Sequence, residues 1–141
     1  MRIVTGYGET VREWLAEFHG VHVLQQPSEV AGVVDSEGYI CGAFVVTWRN
    51  DTCVELHVYG RTSNDVWKWL FQALFARAER IEVRTRRDNK SIKRNAPKFG
   101  FKFEGVARAY YGPDRDDDAF VYGMTRKECR WLRQIRHKEH A

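Results

Sequence analysis

NKSIKRNAPKFGFKFEG, residues 89–105, divides into a polar basic segment, a Phe-Gly-Phe step and a short alternating run. Asn89 suits a helix start, because its side-chain oxygen accepts from a backbone N–H two or three residues on. Gly100 suits the left-handed turn that closes many helices. Phe101 and Phe103 then share one face of an extended segment, with Lys102 and Glu104 on the other. The stretch predicts a short helix turning sharply into a strand. Pro97 removes a helical hydrogen bond at a cost of about 3 kcal/mol and disfavours helical geometry at Ala96, so the helix is expected to be kinked or unusually short.

The rest of the chain bounds the class. Its 141 residues amount to one domain, 1–141, and 43% hydrophobic residues are enough for a core. No apolar run approaches the roughly 18 residues of a membrane span, and no signal peptide opens the chain. Cys41, Cys53 and Cys129 are an odd count without Cys-x-x-Cys spacing. That argues for a reducing cytoplasm and against a disulfide framework or zinc cluster. The net charge is +4, unevenly placed: residues 80–102 hold nine Lys or Arg against Glu82 and Asp88, and Asp114, Asp116, Asp117 and Asp118 form the opposite pole. Such a basic stretch attracts nucleotide phosphates or nucleic acid, and it reads equally as a solvated charged face.

Taken in order, Ile3-Val4 suggests a first strand, and Thr10 caps a helix with Val11, Trp14, Leu15 and Phe18 at helical spacing, ending at Gly20. His19 and His22 have no further ligands nearby, so no metal is expected. Residues 25–29 read as loop. Val30 to Val34 and Tyr39 to Trp48 read as strands around the turn Asp35-Ser36-Glu37-Gly38. In the second of them Ile40, Phe44, Val46 and Trp48 face one way, Ala43 and Val45 the other. Thr52 to Tyr59 alternates: Val54, Leu56 and Val58 make a core face, while Cys53, Glu55, His57 and Tyr59 line the opposite one. Glu55 and His57 are thus close enough to share a cleft, although such alternation is common on a solvated sheet face. Ser63, Asn64 and Asp65 are competent caps for a strongly apolar helix, Val66 to Arg80, and Ile81 to Thr85 completes a strand–helix–strand unit. Phe101 to Ala109 and Ala119 to Met124 read as antiparallel strands. Thr125 to Glu128 is a capping box opening a C-terminal helix, 125–139, with Cys129, Leu132 and Ile135 on its apolar side. That helix could pack on the domain or form a homodimer contact.

The order Asn89, helix, Lys98, one residue, Gly100-Phe101, Glu104-Gly105 resembles the C-terminal signature of the GNAT superfamily of N-acetyltransferases, nearest to the branch that acetylates ribosomal proteins. Arg108, the loop from Gly112 to Asp118 and the Tyr-rich strand through Tyr122 to Met124 continue the likeness, which covers about a quarter of the chain. It implies an α/β fold (α+β by some schemes) with a mixed, mostly antiparallel sheet of six to seven strands flanked by about four helices. It also implies acetyl-CoA as co-substrate, held at the turn between Val54 and Arg80. There Arg61, Thr62, Ser63, Asn64 and Asp65 occupy the place of the family's glycine-containing pyrophosphate loop, but without its glycines. Val58 and Tyr59 would polarise the thioester carbonyl, Asn89 would face the cofactor arm, and Lys98 is retained. Ala96 stands where many members carry a Tyr acid.

The reading that follows is direct acetyl transfer to a small-molecule or peptide primary amine. Glu55, through a water, or His57 would take the proton, and the acidic loop Asp114 to Asp118 would attract a cationic amine. Two alternatives stand beside it. One is a GNAT-fold protein that has lost catalysis and binds a partner, for example as a phage component, which the missing loop glycines favour. The other is a nucleic-acid-directed protein using residues 80–102, where Phe99, Phe101 and Phe103 would stack bases but read more simply as strand core.

Overall fold

The structure, a computed structural model, describes residues 1–22 and 28–132. Seven strands make one sheet: β1 (Arg2–Val4), β2 (Ser28–Val34), β3 (Ile40–Trp48), β4 (Cys53–Gly60), β5 (Arg80–Arg86), β6 (Lys102–Ala107) and β7 (Ala119–Thr125). Their spatial order is β1-β2-β3-β4-β5-β7-β6. Every neighbouring pair is antiparallel except β4 and β5, which run parallel through the crossover helix. Three helices, α1 (Gly8–His19), α2 (Asn64–Phe75) and α3 (Lys90–Phe99), accompany the sheet, and residues 130–132 are again helical. This is the mixed, mostly antiparallel sheet expected from the sequence. Among the described residues no helix is long and apolar enough to cross a membrane.

Alternation along β3 divides the core in two. Phe44 and Val46 join Val54, Leu56 and Ile81 under α2 and α3, whereas Ala43 and Val45 meet Val11 and Leu15 of α1 on the opposite face. Trp67 anchors the larger side, its ring 5.1 Å from Phe44, 5.5 Å from Phe71 and 4.6 Å from Phe99. Ile40 departs from the expected alternation. A bulge opposite Val33 and Val34 gives β3 one extra residue, which turns Ile40 to the α1 face and Cys41 to the other.

Several boundaries move for identifiable reasons. Tyr7, not Thr10, precedes α1, and Thr10 lies within the helix, which closes on left-handed Gly20 as expected. The expected loop 25–29 is a strand from Ser28 onward, and its earlier residues lie outside the described ones. Helix α2 stops at Phe75 rather than Arg80, although Ala76 to Arg80 contains no helix breaker. Glu79 N and Arg80 N donate to Thr52 O, so the chain has already docked at the β3–β4 turn. Helix α3 is short, ten residues, and contains Pro97 in its last turn. Gly100 at φ 108° closes it, with Gly100 N donating to Pro97 O and Phe101 N to Ala96 O, both at 3.1 Å. Phe101 is buried beyond it, while Phe103 is half exposed on the edge strand β6, stacked on Phe120 and Tyr122.

The capping box exists but opens a 3-10 turn, Arg126–Glu128, rather than the helix itself. Thr125 N and Oγ1 both donate to Glu128 Oε1, at 3.0 and 2.9 Å. Cys129 is then extended and buried in the core. The expected continuation beyond residue 132, Ile135 included, lies outside the described residues. Lys102 pairs with Glu128, and together with the Thr125 donors it holds the Glu128 carboxyl at about 2. A depressed carboxyl stabilises the fold above its unfolded value near 4.5 and loses that contribution as pH falls towards 2. The melting temperature of Glu128→Gln is therefore expected to fall less than that of the unmodified protein between pH 4.5 and 2. Parallel acid limbs in the two melting curves would refute this.

Candidate active site

Two parallel strands that part company create the site. The β4–β5 ladder covers only Cys53, Val54 and Glu55 against Arg80, Ile81 and Glu82, yet β4 continues to Gly60 and β5 to Arg86. Arg49 N donates to Cys53 O and Arg61 N to Cys41 O, so the odd-numbered peptide groups of β4 face β3. Strand alternation then turns those of Val58 and Gly60 towards β5. From the other side Arg80 N reaches Thr52 O while Arg87 N reaches Asp118 O, which directs the peptide groups of Arg84 and Arg86 towards β4. Beyond the last ladder pair these four peptide groups face a widening gap. The N-terminus of α2 follows the end of β4 and that of α3 follows the end of β5, so two helix N-termini flank its wide end.

Glu55 stands at the apex and His57 at the opening. Glu55 is only 6% exposed. His57 Nε2 lies 2.6 Å from Glu55 Oε2, while Arg84 Nε stands 3.2 Å and Arg49 3.5 Å from Glu55 Oε1. Burial pushes the Glu55 carboxyl up, but the His57 hydrogen bond and the charges of His57, Arg49 and Arg84 outweigh it and hold the group below its ordinary value. As an anion Glu55 only accepts, so it fixes the His57 tautomer with the proton on Nε2. That leaves the lone pair of Nδ1 available as a base.

The loop between β6 and β7 covers the same face. The Tyr110 ring lies 5.4 Å from the Arg84 guanidinium and the Tyr111 ring 5.1 Å from that of Arg86. Burial and the neighbouring Glu55 push the Tyr59 hydroxyl up, so it stays a donor; burial, Tyr110 and Glu55 do the same for Tyr111. Among the described residues, two of the loop's four aspartates are already tied to arginines, while Asp114 and Asp116 are exposed without an ion pair. Asp117 pairs with Arg86, and Asp118 pairs with Arg87 at 3.5 Å while accepting from Ala109 N at 2.8 Å. These are loop anchors. The basic stretch is consumed in the same way: Arg80, Arg84, Arg86, Arg87 and Lys102 all face carboxylates. Among the described residues only Lys90, Arg94 and Lys98 of its nine cations lack a partner, and they lie four apart along exposed α3.

The cofactor residues expected from the sequence divide between the gap and elsewhere. Val58 presents its peptide group to the gap, but Tyr59 pairs with Ala43 and spends its peptide on β3. Arg61 is exposed, with its N–H bound to Cys41 O. Thr62 Oγ1 accepts from Trp67 Nε1 at 3.1 Å. Ser63 is the N-cap of α2, its Oγ accepting from Val66 N at 3.4 Å and its carbonyl from Trp67 N. Asn64 and Asp65 therefore supply the N–H groups open to an anion, and Asp65 itself complements the helix dipole with a negative charge. Asn89 caps α3 at the mouth of the gap, with Oδ1 accepting from Ile92 N at 3.2 Å. Lys98 sits at the opposite end of α3, about 13 Å along its axis, and is not brought to the gap. Ala96 is buried in the core and offers no acid.

Losing the Asn89 cap should cost about 1 kcal/mol. Asn89→Ala is expected to melt a few degrees lower, and an unchanged melting temperature would show that the cap carries no stability.

No family model and no curated protein matches the sequence. Solved structures do match. A probable GNAT-family acetyltransferase from Chromobacterium violaceum superposes with a TM-score of 0.64 at 23% identity, over 82% of this chain and 66% of that one. A GCN5-related N-acetyltransferase from Brucella melitensis gives 0.63 at 21%, over 74% and 54%. The spermidine N-acetyltransferase of Vibrio cholerae gives 0.61 at 14%, over 87% and 79%. The fold is the GNAT fold. The chain spans about half the length of the Brucella protein. Around Glu55, His57 and Val58, which sequence reading had named, the structure places Arg49, Arg84, Tyr110 and Tyr111, which it had not. Placing Arg84 beside Glu55 needs the β4–β5 register, and the two tyrosines reach the site only through a loop fold that no local signal encodes.

Proposed function

We propose that the chain transfers an acetyl group from acetyl-CoA to a primary amine. The observation that carries this reading is the hydrogen-bonded pair of buried Glu55 and partly exposed His57 in a strand gap whose edges present peptide groups beyond the last ladder pair. Those edges fit an extended, amide-bearing arm, with Val58 and Gly60 on one side and Arg84 and Arg86 on the other. Asn64 and Asp65 N–H groups at the α2 N-terminus would meet the phosphates, a smaller cradle than a glycine-rich loop provides. Acetyl-CoA supplies the thioester acyl group. His57 Nδ1 takes the amine proton as the N–C bond forms and the C–S bond breaks, and that proton passes to the departing thiolate. Glu55 holds the imidazole in the required tautomer and stabilises its charged form.

Two observations favour a second reading, a GNAT-fold protein that binds a partner without turnover: the loop carries no glycine, and Ser63 caps the first turn. Release of free thiol from acetyl-CoA upon addition of primary amines distinguishes the two. Amine-dependent release supports transfer, and none with any primary amine overturns it.

A further inference from the structure

A row of aromatic side chains leads away from His57 on the sheet face that α1 covers. His57 pairs with Val45 and Tyr59 with Ala43, and both partners belong to the core under α1. Tyr59 therefore follows His57 on that face, about 7 Å further along β4. The His19 ring lies 5.7 Å from Tyr59, the Trp14 ring 4.8 Å from His19 and the Phe18 ring 5.9 Å from Trp14. Trp14 also reaches the end of β4, since a Cβ on Gly60 would stand 3.1 Å from its ring. The inner members, Trp14 and Tyr59, pack on the core, but the outer two do not need it: Phe18 is 63% exposed and His19 is exposed as well. Burial, Tyr110, Glu55 and Tyr59 all push the Tyr111 hydroxyl up, so the tyrosines of the β6–β7 loop stand close to the start of the row. No side chain of the row carries a carboxylate.

We infer that the acceptor is a primary amine carrying an aromatic ring on a short alkyl linker, with its nitrogen on His57 Nδ1 and its ring against Tyr59, His19 and Phe18. The row starts one side-chain repeat from the base, a span that a linker of two or three carbons covers. Aromatic rings favour tilted or offset contacts at about 4.5–7 Å between centroids, the spacing the row already has, so a further ring extends it. Glu55 keeps its His57, Arg84 and Arg49 partners, and the amine proton goes to the free nitrogen of His57. A polyamine would find no carboxylate along the row for its second ammonium, which disfavours its burial there. The reaction of such an acceptor rests on the acetyl-transfer reading; its binding does not.

Calorimetric titration of the protein without acetyl-CoA, using phenylethylamine, butylamine and 1,4-diaminobutane, tests this directly. Phenylethylamine is expected to bind at least about tenfold more tightly than the other two, the scale of one buried aromatic contact. The double variant Phe18→Ala/His19→Ala removes only exposed side chains, so it should keep its melting temperature and its butylamine affinity while losing most of the phenylethylamine preference. His19→Phe keeps a ring at that position and should keep the preference. Equal or tighter binding of butylamine or the diamine, no binding of phenylethylamine, or an unchanged preference in the double variant would overturn the inference. Acetylation of all three amines alike would overturn it while sustaining acetyl transfer. Preferential phenylethylamine binding without any acetyl-CoA response would sustain it while overturning transfer.

Discussion

Replacing His57 with alanine is expected to lower kcat for acetyl transfer by about a hundredfold or more, with a smaller change in KM. General-base catalysis contributes about 10²–10⁴ in rate, and His57 is the group of the pair whose Nδ1 lone pair stays free while Nε2–H donates to Glu55 at 2.6 Å. Glu55→Gln should lose activity on the same scale, because an amide keeps the hydrogen bond but not the charge that stabilises the imidazolium. The double variant should be little worse than the poorer single one, since residues that act as a unit are not additive.

Glu55→Gln also leaves Arg49 without its countercharge and Arg84 with Glu82 alone, so its fold must be verified by melting before its kinetics are interpreted. His57→Ala, which removes no charge partner of the arginines, keeps the test clean. A double variant with full acetyl transfer would remove the basis for the mechanism.

Gly42→Ala is expected to cost about 3 kcal/mol or more, at the upper end of overpacking effects, and to lower the melting temperature by about 10 °C. A Cβ on Gly42 would overlap the Arg61 carbonyl oxygen and press on Arg61 C and N, both at 3.1 Å. These are backbone atoms and cannot rotate away. The cause lies in the path of the chain: Arg61 N donates to Cys41 O at 2.8 Å, which draws the segment leaving β4 tightly across β3 before Ser63 starts α2. The same clash would displace residues 61–65, so acetyl-CoA binding should weaken together with stability. A Gly42→Ala protein that melts within a degree or two of the unmodified one would show that this packing is not as tight as the structure implies.

The sheet and its helices were legible because their signals are local. Alternation at Val54, Leu56 and Val58, the Asn89 cap and the Gly100 stop are each read within a few residues and found where expected, and Ser63 is the one of three candidate caps that starts α2. Helix α2 ran too long on paper because its end is set by Thr52 O, a partner more than twenty residues away in sequence. Ile40 changed face because a bulge depends on the partner strand. The site was half legible for the same reason. Glu55 and His57 share one strand face, whereas Arg49 comes from a turn, Arg84 from the next parallel strand and Tyr110 from a loop. In the acidic loop, composition shows the charge but not that Asp117 and Asp118 are tied to Arg86 and Arg87.

Titration of the purified protein with acetyl-CoA, read as melting temperature, bears most directly on the claim that the β4–β5 gap is a cofactor site. Saturation at about 100 times Kd adds about 2.7 kcal/mol, which for a domain of this size is a rise of several degrees. That rise, weakened in Gly42→Ala, is the result the account predicts. An unchanged melting temperature at millimolar acetyl-CoA would contradict it.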